Sequence, residues 1–123
     1  MNFIAVNYTE ASKYKSKAAK EGSSITNTNN TTWLMNKNKT ACLGIIFLAS
    51  GGCRIKGVFV DKEVRGQGIG NAITNFAILY ARNGSRSYIE ALAYNYNYYI
   101  NSLKFKKVGK QRPNGAQMVR RVL

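Results

Sequence analysis

Apolar and polar positions along the chain change period several times, and each change marks an element. Thr31 to Met35, Thr40 to Ala49 and Arg54 to Val60 are short runs rich in β-branched and aromatic residues. The clusters Asn36-Lys37-Asn38-Lys39 and Ser50-Gly51-Gly52 separate them. Short runs closed by such turn residues predict strands, and the two tight connections predict an antiparallel three-strand meander. At Ile69 the period switches. Ile69, Ala72, Ile73, Phe76 and Tyr80 recur at three and four residues, one face of a helix from about Ile69 to Arg82 that Asn83-Gly84 stops. Ser87 to Ala93 predicts the next strand, and Asn95 to Leu103 a short aromatic helix. Phe105 to Lys110 and Ala116 to Leu123 predict two closing strands around Pro113-Asn114-Gly115. Upstream, Asn2 to Val6 predicts a first strand. Thr9 to Lys20 predicts a helix that Thr9 can cap, with Tyr14 and Ala18 as a narrow apolar stripe and Lys13, Lys17 and Lys20 on one face. Gly22 should end it. The polar stretch Ser23 to Thr32 then reads as a loop and as a candidate wall of an acceptor site.

This order predicts a single α/β domain spanning residues 1–123, with a mixed, mostly antiparallel sheet flanked by helices. The strand–helix–strand unit near residues 54 to 93 should be a right-handed parallel crossover. A chain of 123 residues holds one core. The longest apolar run, Ala41 to Ala49 broken only by Gly44, is too short to span a bilayer. Residues 1–6 lack the basic start and long apolar body of a signal peptide. Cys42 and Cys53 lie at unequal distances from the Ser50-Gly51-Gly52 turn, so they should not face each other. Two free thiols suit a reducing compartment, and a cytoplasmic location is expected. With no histidine and no paired cysteines, no metal site is expected.

Charge changes the picture. Nineteen Lys and Arg stand against five Asp and Glu, a net charge of +14. An AT-rich coding sequence favours Lys, Asn, Ile and Tyr and would account for the lysines, but not for the shortage of Glu. A phosphate-rich cofactor would use a few of the cations. The remainder points to a polyanionic partner, most simply nucleic acid.

The candidate chemistry lies where the third strand of the meander hands over to the long helix. There Gly66, Gly68 and Gly70 fall at alternate positions. Glycine adopts backbone angles closed to other residues and lets a ligand approach the main chain. The first N–H groups of a helix have no partner within it and sit at the positive end of its dipole, so a phosphate is the natural guest. The stretch therefore reads as a pyrophosphate cradle rather than a simple change of direction. It is not a P-loop, because no lysine follows Gly70. It is not a dinucleotide fingerprint either, because the glycine spacing is two and two.

Arg65-Gly66-Gln67-Gly68-Ile69-Gly70 resembles the Arg/Gln-x-x-Gly-x-Gly/Ala signature of the GNAT superfamily of N-acetyltransferases, and Val60-Asp61 before it is common there too. Downstream, Ile89-Glu90-Ala91-Leu92-Ala93-Tyr94-Asn95 is similar to that family's strand ending in a helix-opening Asn. Leu103-Lys104-Phe105 is similar to its Leu-Gly-Phe. Together these cover roughly residues 40 to 123. The resemblance implies an acetyl-CoA-dependent enzyme. Coenzyme A would place its pyrophosphate on the amides of Gly66, Gln67, Gly68, Ile69, Gly70 and Asn71, behind Arg65. Its pantetheine arm would run along the main chain of Val58, Phe59 and Val60, with Asn95 on the other side. A neutral amine would attack the thioester, helped by an N–H near Val60 that holds the oxyanion and by an acid that protonates the thiolate.

Three departures bear on catalysis. The family's usual acid, a Tyr five residues before the Phe of Leu-Gly-Phe, falls on Ile100. Tyr98 and Tyr99 lie three and four after Asn95, on the same helix face, and either can supply the proton. They can equally only pack, and an aromatic cluster among basic residues also suits a stacked base. Lys104 replaces the Gly of Leu-Gly-Phe. The base has one candidate, Glu90, whose simpler role is as a partner to Arg54 or Lys56; a water-relayed base or no dedicated base are the alternatives. The scarcity of carboxylates argues against polyamine or Lys-rich acceptors and for an anionic or nucleic-acid-associated one. Two other readings stand beside this: transfer of a different group to a nucleobase, and a non-catalytic nucleic-acid-binding module on the same fold.

Overall fold

The computed structural model describes residues 2–20, 25 and 30–123. The meander forms as its turns dictate. Strands β2 (Thr31–Asn36), β3 (Ala41–Phe47) and β4 (Cys53–Val60) pair antiparallel. The buried Asn36 side chain closes the first turn, its Oδ1 accepting from the N–H groups of Thr40 and Ala41 at 2.9 Å each. Strand β1 (Phe3–Val6) pairs antiparallel with β2 at one edge. Helix α3 (Ile69–Asn83) carries the chain across to β5 (Tyr88–Ala93), which pairs parallel to β4. Helix α4 (Tyr96–Leu103) then leads to β6 (Lys106–Lys107) and β7 (Gln117–Val122). Among the described residues the strands make one seven-stranded sheet in the order β1-β2-β3-β4-β5-β7-β6.

Strand alternation gives the sheet two buried faces. On one, Ile69, Ile73, Ala77 and Ala81 of α3, with Tyr99 and Leu103 of α4, pack on Leu34, Leu43, Ile45, Ile89, Ala91 and Val119. On the other, Ala11 and Ala18 cover Trp33, Met35, Cys42 and Phe59. Cys42 and Cys53 thus sit in different clusters, both buried. Burial pushes the Cys42 thiol up to about 12 and the Cys53 thiol up to about 11. None of the described helices is long and apolar enough to cross a membrane.

Three expectations need correction. The amino-terminal helix is two short pieces, α1 (Tyr8–Ala11) and α2 (Lys15–Lys20), joined by a 3₁₀ turn over Ser12–Tyr14. Its cap is Asn7, whose Oδ1 accepts from the Glu10 N–H, and not Thr9. Helix α3 does end at Asn83 with Gly84 as its C-cap, as expected, but the left-handed residue is Ser85 at φ +57°, while Gly84 has φ −84°. Gly84 is required for space instead, because a Cβ there would stand 2.7 Å from the Phe47 ring. Strand β6 is only two residues long; past it the Val108 N–H still donates to the Met118 carbonyl at 2.9 Å, and the buried Gln117 amide then donates to the carbonyls of Val108 and Gly109. Gly22 and most of the polar stretch expected as an acceptor wall lie outside the described residues, although Thr31 and Thr32 already belong to β2.

Two irregularities in β4 prepare the site. Gly44 faces Gly57 and Ile45 faces Ile55, so Lys56 is an extra residue, a β-bulge that bends the strand. The parallel pairing with β5 covers only Cys53 with Ile89 and Arg54 with Glu90. Beyond that point β4 and β5 part.

Candidate active site

The parting of β4 from β5 leaves the β5-side edge of Val58, Phe59 and Val60 without a neighbouring strand. Beside it the chain turns through a 3₁₀ segment at Lys62–Val64 into the glycine loop. Gly66 and Gly68 have φ of +82° and +77°, a region that disfavours any residue with a Cβ. A Cβ on either would meet nothing within 4 Å, so open space lies in front of both. Gly70 differs: its added Cβ would stand 3.5 Å from Val60 Cγ2, where α3 packs on β4.

Gly68 is the N-cap of α3, and the Ala72 N–H donates to its carbonyl at 3.0 Å. The N–H groups of Ile69, Gly70 and Asn71 therefore have no acceptor within the helix. They sit at the positive end of a helix of 15 residues. The Arg65 Nε donates to the Val60 carbonyl at 3.1 Å, tying the loop back to the end of β4.

These elements enclose a cleft of about 550 Å³ between the edge of β4, the start of α3 and helix α4. Every residue expected to hold the cofactor lines it except Gln67, which faces a neighbouring polar cavity with Asn36, Lys37 and Thr40. Val64 and Thr74 line the cleft as well and were not anticipated. Thr74 stands four residues after Gly70 and donates to its carbonyl at 2.8 Å, so helical period alone places it here. Asn95 is the N-cap of α4, and its side chain makes no capping bond. It also lines the cleft.

The two candidate tyrosines differ. Tyr98 is half-buried and its hydroxyl donates to Asn71 Oδ1 at 3.0 Å, bridging α4 to α3. Burial raises its ionisation above the ordinary value, with Thr74 beside it acting in the opposite sense. Tyr99 is 6% exposed, with its ring against Phe105 at 5.2 Å. Burial pushes it up to about 12. Of the two, only Tyr98 has its hydroxyl engaged at the front of α3.

Glu90 does not join the cleft. Ile89 and Ala91 face α3 and α4, so alternation sends Glu90 to the opposite face of the sheet. There it is 2% exposed and clamped by Arg54 at 2.7 Å and Arg120 at 2.8 Å. Burial alone would raise its carboxyl, but hydrogen bonds from Arg120 and Arg54 outweigh this and hold it below the ordinary range. A carboxylate this committed is no candidate for the base. Among the described residues that line the cleft, Arg65 alone is charged. Among the described residues no three His, Cys, Asp or Glu come together as metal ligands would.

A family model described as an acetyltransferase (GNAT) domain matches residues 5–113. N-acetylglutamate synthase from Neisseria gonorrhoeae, solved with coenzyme A and N-acetyl-glutamate, superposes with a TM-score of 0.76 at 13% identity. That match covers 99% of this chain but only 35% of the synthase. IAA acetyltransferase from Bacillus cereus gives 0.75 at 11% identity, over 99% of both chains. A GNAT family acetyltransferase from Elizabethkingia anophelis with acetyl-CoA bound gives 0.64 at 16% identity, over 76% of this chain and 77% of that one. At such identities these structures share the fold. No curated protein matches the sequence.

Proposed function

This chain belongs to the GNAT acetyltransferase family, and we propose that it moves the acetyl group of acetyl-CoA to an amine on an acceptor that is anionic or held on nucleic acid. The observation that carries the reading is the left-handed glycine loop, which opens α3 directly beside the unpaired edge of β4. The site fits the donor. Three free amides and a helix dipole suit a diphosphate, the space before Gly66 and Gly68 is open, and an unpaired strand edge suits the amide-bearing arm.

When bound, the donor supplies a thioester carbonyl already reactive toward amines. The amides of Ile69, Gly70 and Asn71 neutralise its diphosphate. The edge of Val58 to Val60 and the side chain of Asn95 orient the arm from opposite sides. An N–H near Val60 receives the charge that develops on the carbonyl oxygen. The amine nitrogen bonds to the carbonyl carbon, the C–S bond breaks, and the Tyr98 phenol gives its proton to the sulfur. Tyr98 is preferred to Tyr99 because the latter is sealed against Phe105. Among the described residues no carboxylate lines the cleft, so in this reading the amine arrives neutral and loses its proton to water.

The acceptor class rests on charge. Among the described residues the cleft offers no acid to attract a cation, and the whole chain has five acids against nineteen Lys and Arg. The Neisseria synthase was solved with an acidic acetylated amine, which runs in the same direction. Cytoplasmic residence goes with this reading, since the chain keeps two buried, unpaired thiols.

Calorimetry tests the donor site. Acetyl-CoA should bind the wild type, and Gly68→Glu should abolish binding by placing a Cβ at φ +77° and a negative charge at the cradle. Equal heats for the two proteins would overturn the reading. Mass spectrometry of amines incubated with labelled acetyl-CoA then ranks acidic against neutral and cationic acceptors. A second reading has Ile100 in its favour, standing where the family pattern sets its acid: a nucleic-acid-binding module without catalysis. It requires nucleic acid to bind and acetyl-CoA not to.

A further inference from the structure

Asn71 meets the site twice. Its backbone N–H is one of the three amides at the start of α3 without an acceptor in the helix. Its side-chain Oδ1 accepts from the Tyr98 hydroxyl at 3.0 Å, across 27 residues of sequence. That bond joins α3 to α4 at the cleft where the proton donor must work. We propose that the Asn71 carboxamide is a positioning residue for proton transfer, holding the Tyr98 phenol through its carbonyl before the proton leaves and the phenolate through its N–H afterwards. The inference rests on the acetyl-CoA reading given above.

The chemistry of the two side chains supports it. A phenol has one proton, and in this structure that proton is directed at Asn71 Oδ1. During transfer the C–N bond forms and the C–S bond breaks. The electron pair goes to sulfur, and the phenol proton follows it. The phenolate left behind can only accept hydrogen bonds, until the proton shed by the amine reaches it through water. A carboxamide serves both states. A half-turn about its terminal bond exchanges Oδ1 for Nδ2, so an acceptor becomes a donor. The second bond is charge-assisted and about twice as strong as the first. Asn71 therefore favours the state in which the proton has gone. An aspartate could hold the phenol but would repel the phenolate, and an alanine could do neither.

The surroundings leave Asn71 in this role. Thr74, from α3, lies beside the same phenol and favours its ionised form, but in this structure its hydroxyl donates to the Gly70 carbonyl, and the bond to the phenol is made by Asn71. Tyr99, from the same helix as Tyr98, meets it ring to ring at 5.5 Å. Arg65 bonds to the Val60 carbonyl.

The test compares wild type, Asn71→Ala, Asn71→Asp, Tyr98→Phe and the Ala/Phe double variant. Three readouts are needed: calorimetry with coenzyme A, thiol release from acetyl-CoA in the presence of the amine ranked first by the mass spectrometry above, and ultraviolet titration of tyrosinate with the Tyr98→Phe curve subtracted. Asn71→Ala keeps its backbone N–H and should still bind coenzyme A, so its thiol release is read at saturating acetyl-CoA. Its thiol release should fall about tenfold, a part of what a general acid contributes, with no further loss on the Tyr98→Phe background. Ionisation of Tyr98 should move to higher pH in Asn71→Ala and higher still in Asn71→Asp. An equal fractional loss on the Tyr98→Phe background would overturn the proposal. So would a shift of Tyr98 ionisation to lower pH in Asn71→Ala, which would make Asn71 a mere anchor of the neutral phenol. A wild type that fails to bind coenzyme A sinks the acetyl-CoA reading instead, while the tyrosinate titration still decides the partnership of Asn71 with Tyr98.

Discussion

Lys104 closes α4 at φ +63°, where the family's pattern has a glycine. The sequence showed the substitution, and the strain follows from the backbone the turn adopts. An L-residue in this region costs about 1 kcal/mol, part of which glycine would return as extra freedom of the unfolded chain. Lys104→Gly should therefore raise the thermal midpoint by a few degrees, measured by circular dichroism. Glu90 was less legible. Its place in a strand was clear, but alternation leaves open which face is occupied and by what. Arg54 was a foreseen partner and Arg120 was not, because β7 reaches Glu90 from a position 30 residues further on. Replacing Glu90 by Gln should cost about 1–3 kcal/mol, the upper part of the range for breaking buried pairs being reduced because both arginines are partly in water. The folded carboxyl lies below its ordinary value of 4.5. Its stabilisation is thus complete above that pH and is lost as pH falls through the lower, folded value. Urea titrations below about pH 4.5 should show wild-type stability falling more steeply than that of Glu90→Gln.

Among the elements, the meander and the long helix were legible because their signals are local: turn residues at both connections and a clean three-and-four period. The amino-terminal helix was less so. Tyr14 and Ala18 give it only a thin stripe, and a 3₁₀ turn over Ser12–Tyr14 interrupts it. The β2–β3 pair carries a constraint that no pattern announces. Trp33, 2% exposed, lies across Gly44, and a Cβ there would stand 2.8 Å from its ring. The ring is enclosed and has no room to retreat. Gly44→Ala should destabilise by about 1–3 kcal/mol through overpacking. Denaturant unfolding should show a lower midpoint with an unchanged slope. An unchanged midpoint would mean that the indole has more freedom than its burial indicates.

At the scale of the whole molecule, two properties have no single owner. One is the cleft, which exists because β4 bulges at Lys56 and keeps β5 for only two residue pairs before diverging. The other is the charge of +14. Three of the four acids described are paired: Glu10 with Lys13 and Lys39, Asp61 with Lys17, Glu90 with two arginines. The surplus of cations therefore faces solvent. Binding of short DNA and RNA, followed by fluorescence anisotropy, should weaken linearly in log affinity against log salt. No binding at low salt, in a preparation that binds acetyl-CoA, would return the lysines to codon usage.

Read alone, the chain settled what depends on near neighbours: the order of elements, the glycine-rich handover into α3, and the family to which that loop points. Hydrophobic period, turn chemistry and backbone sterics act over a few residues, so they are written in consecutive letters. Tertiary structure decided which tyrosine reaches the start of α3, which arginines claim Glu90, and where β4 loses its neighbour. Those contacts join residues 27 to 36 positions apart. Strand register and helix docking set them, and no local spacing encodes either one.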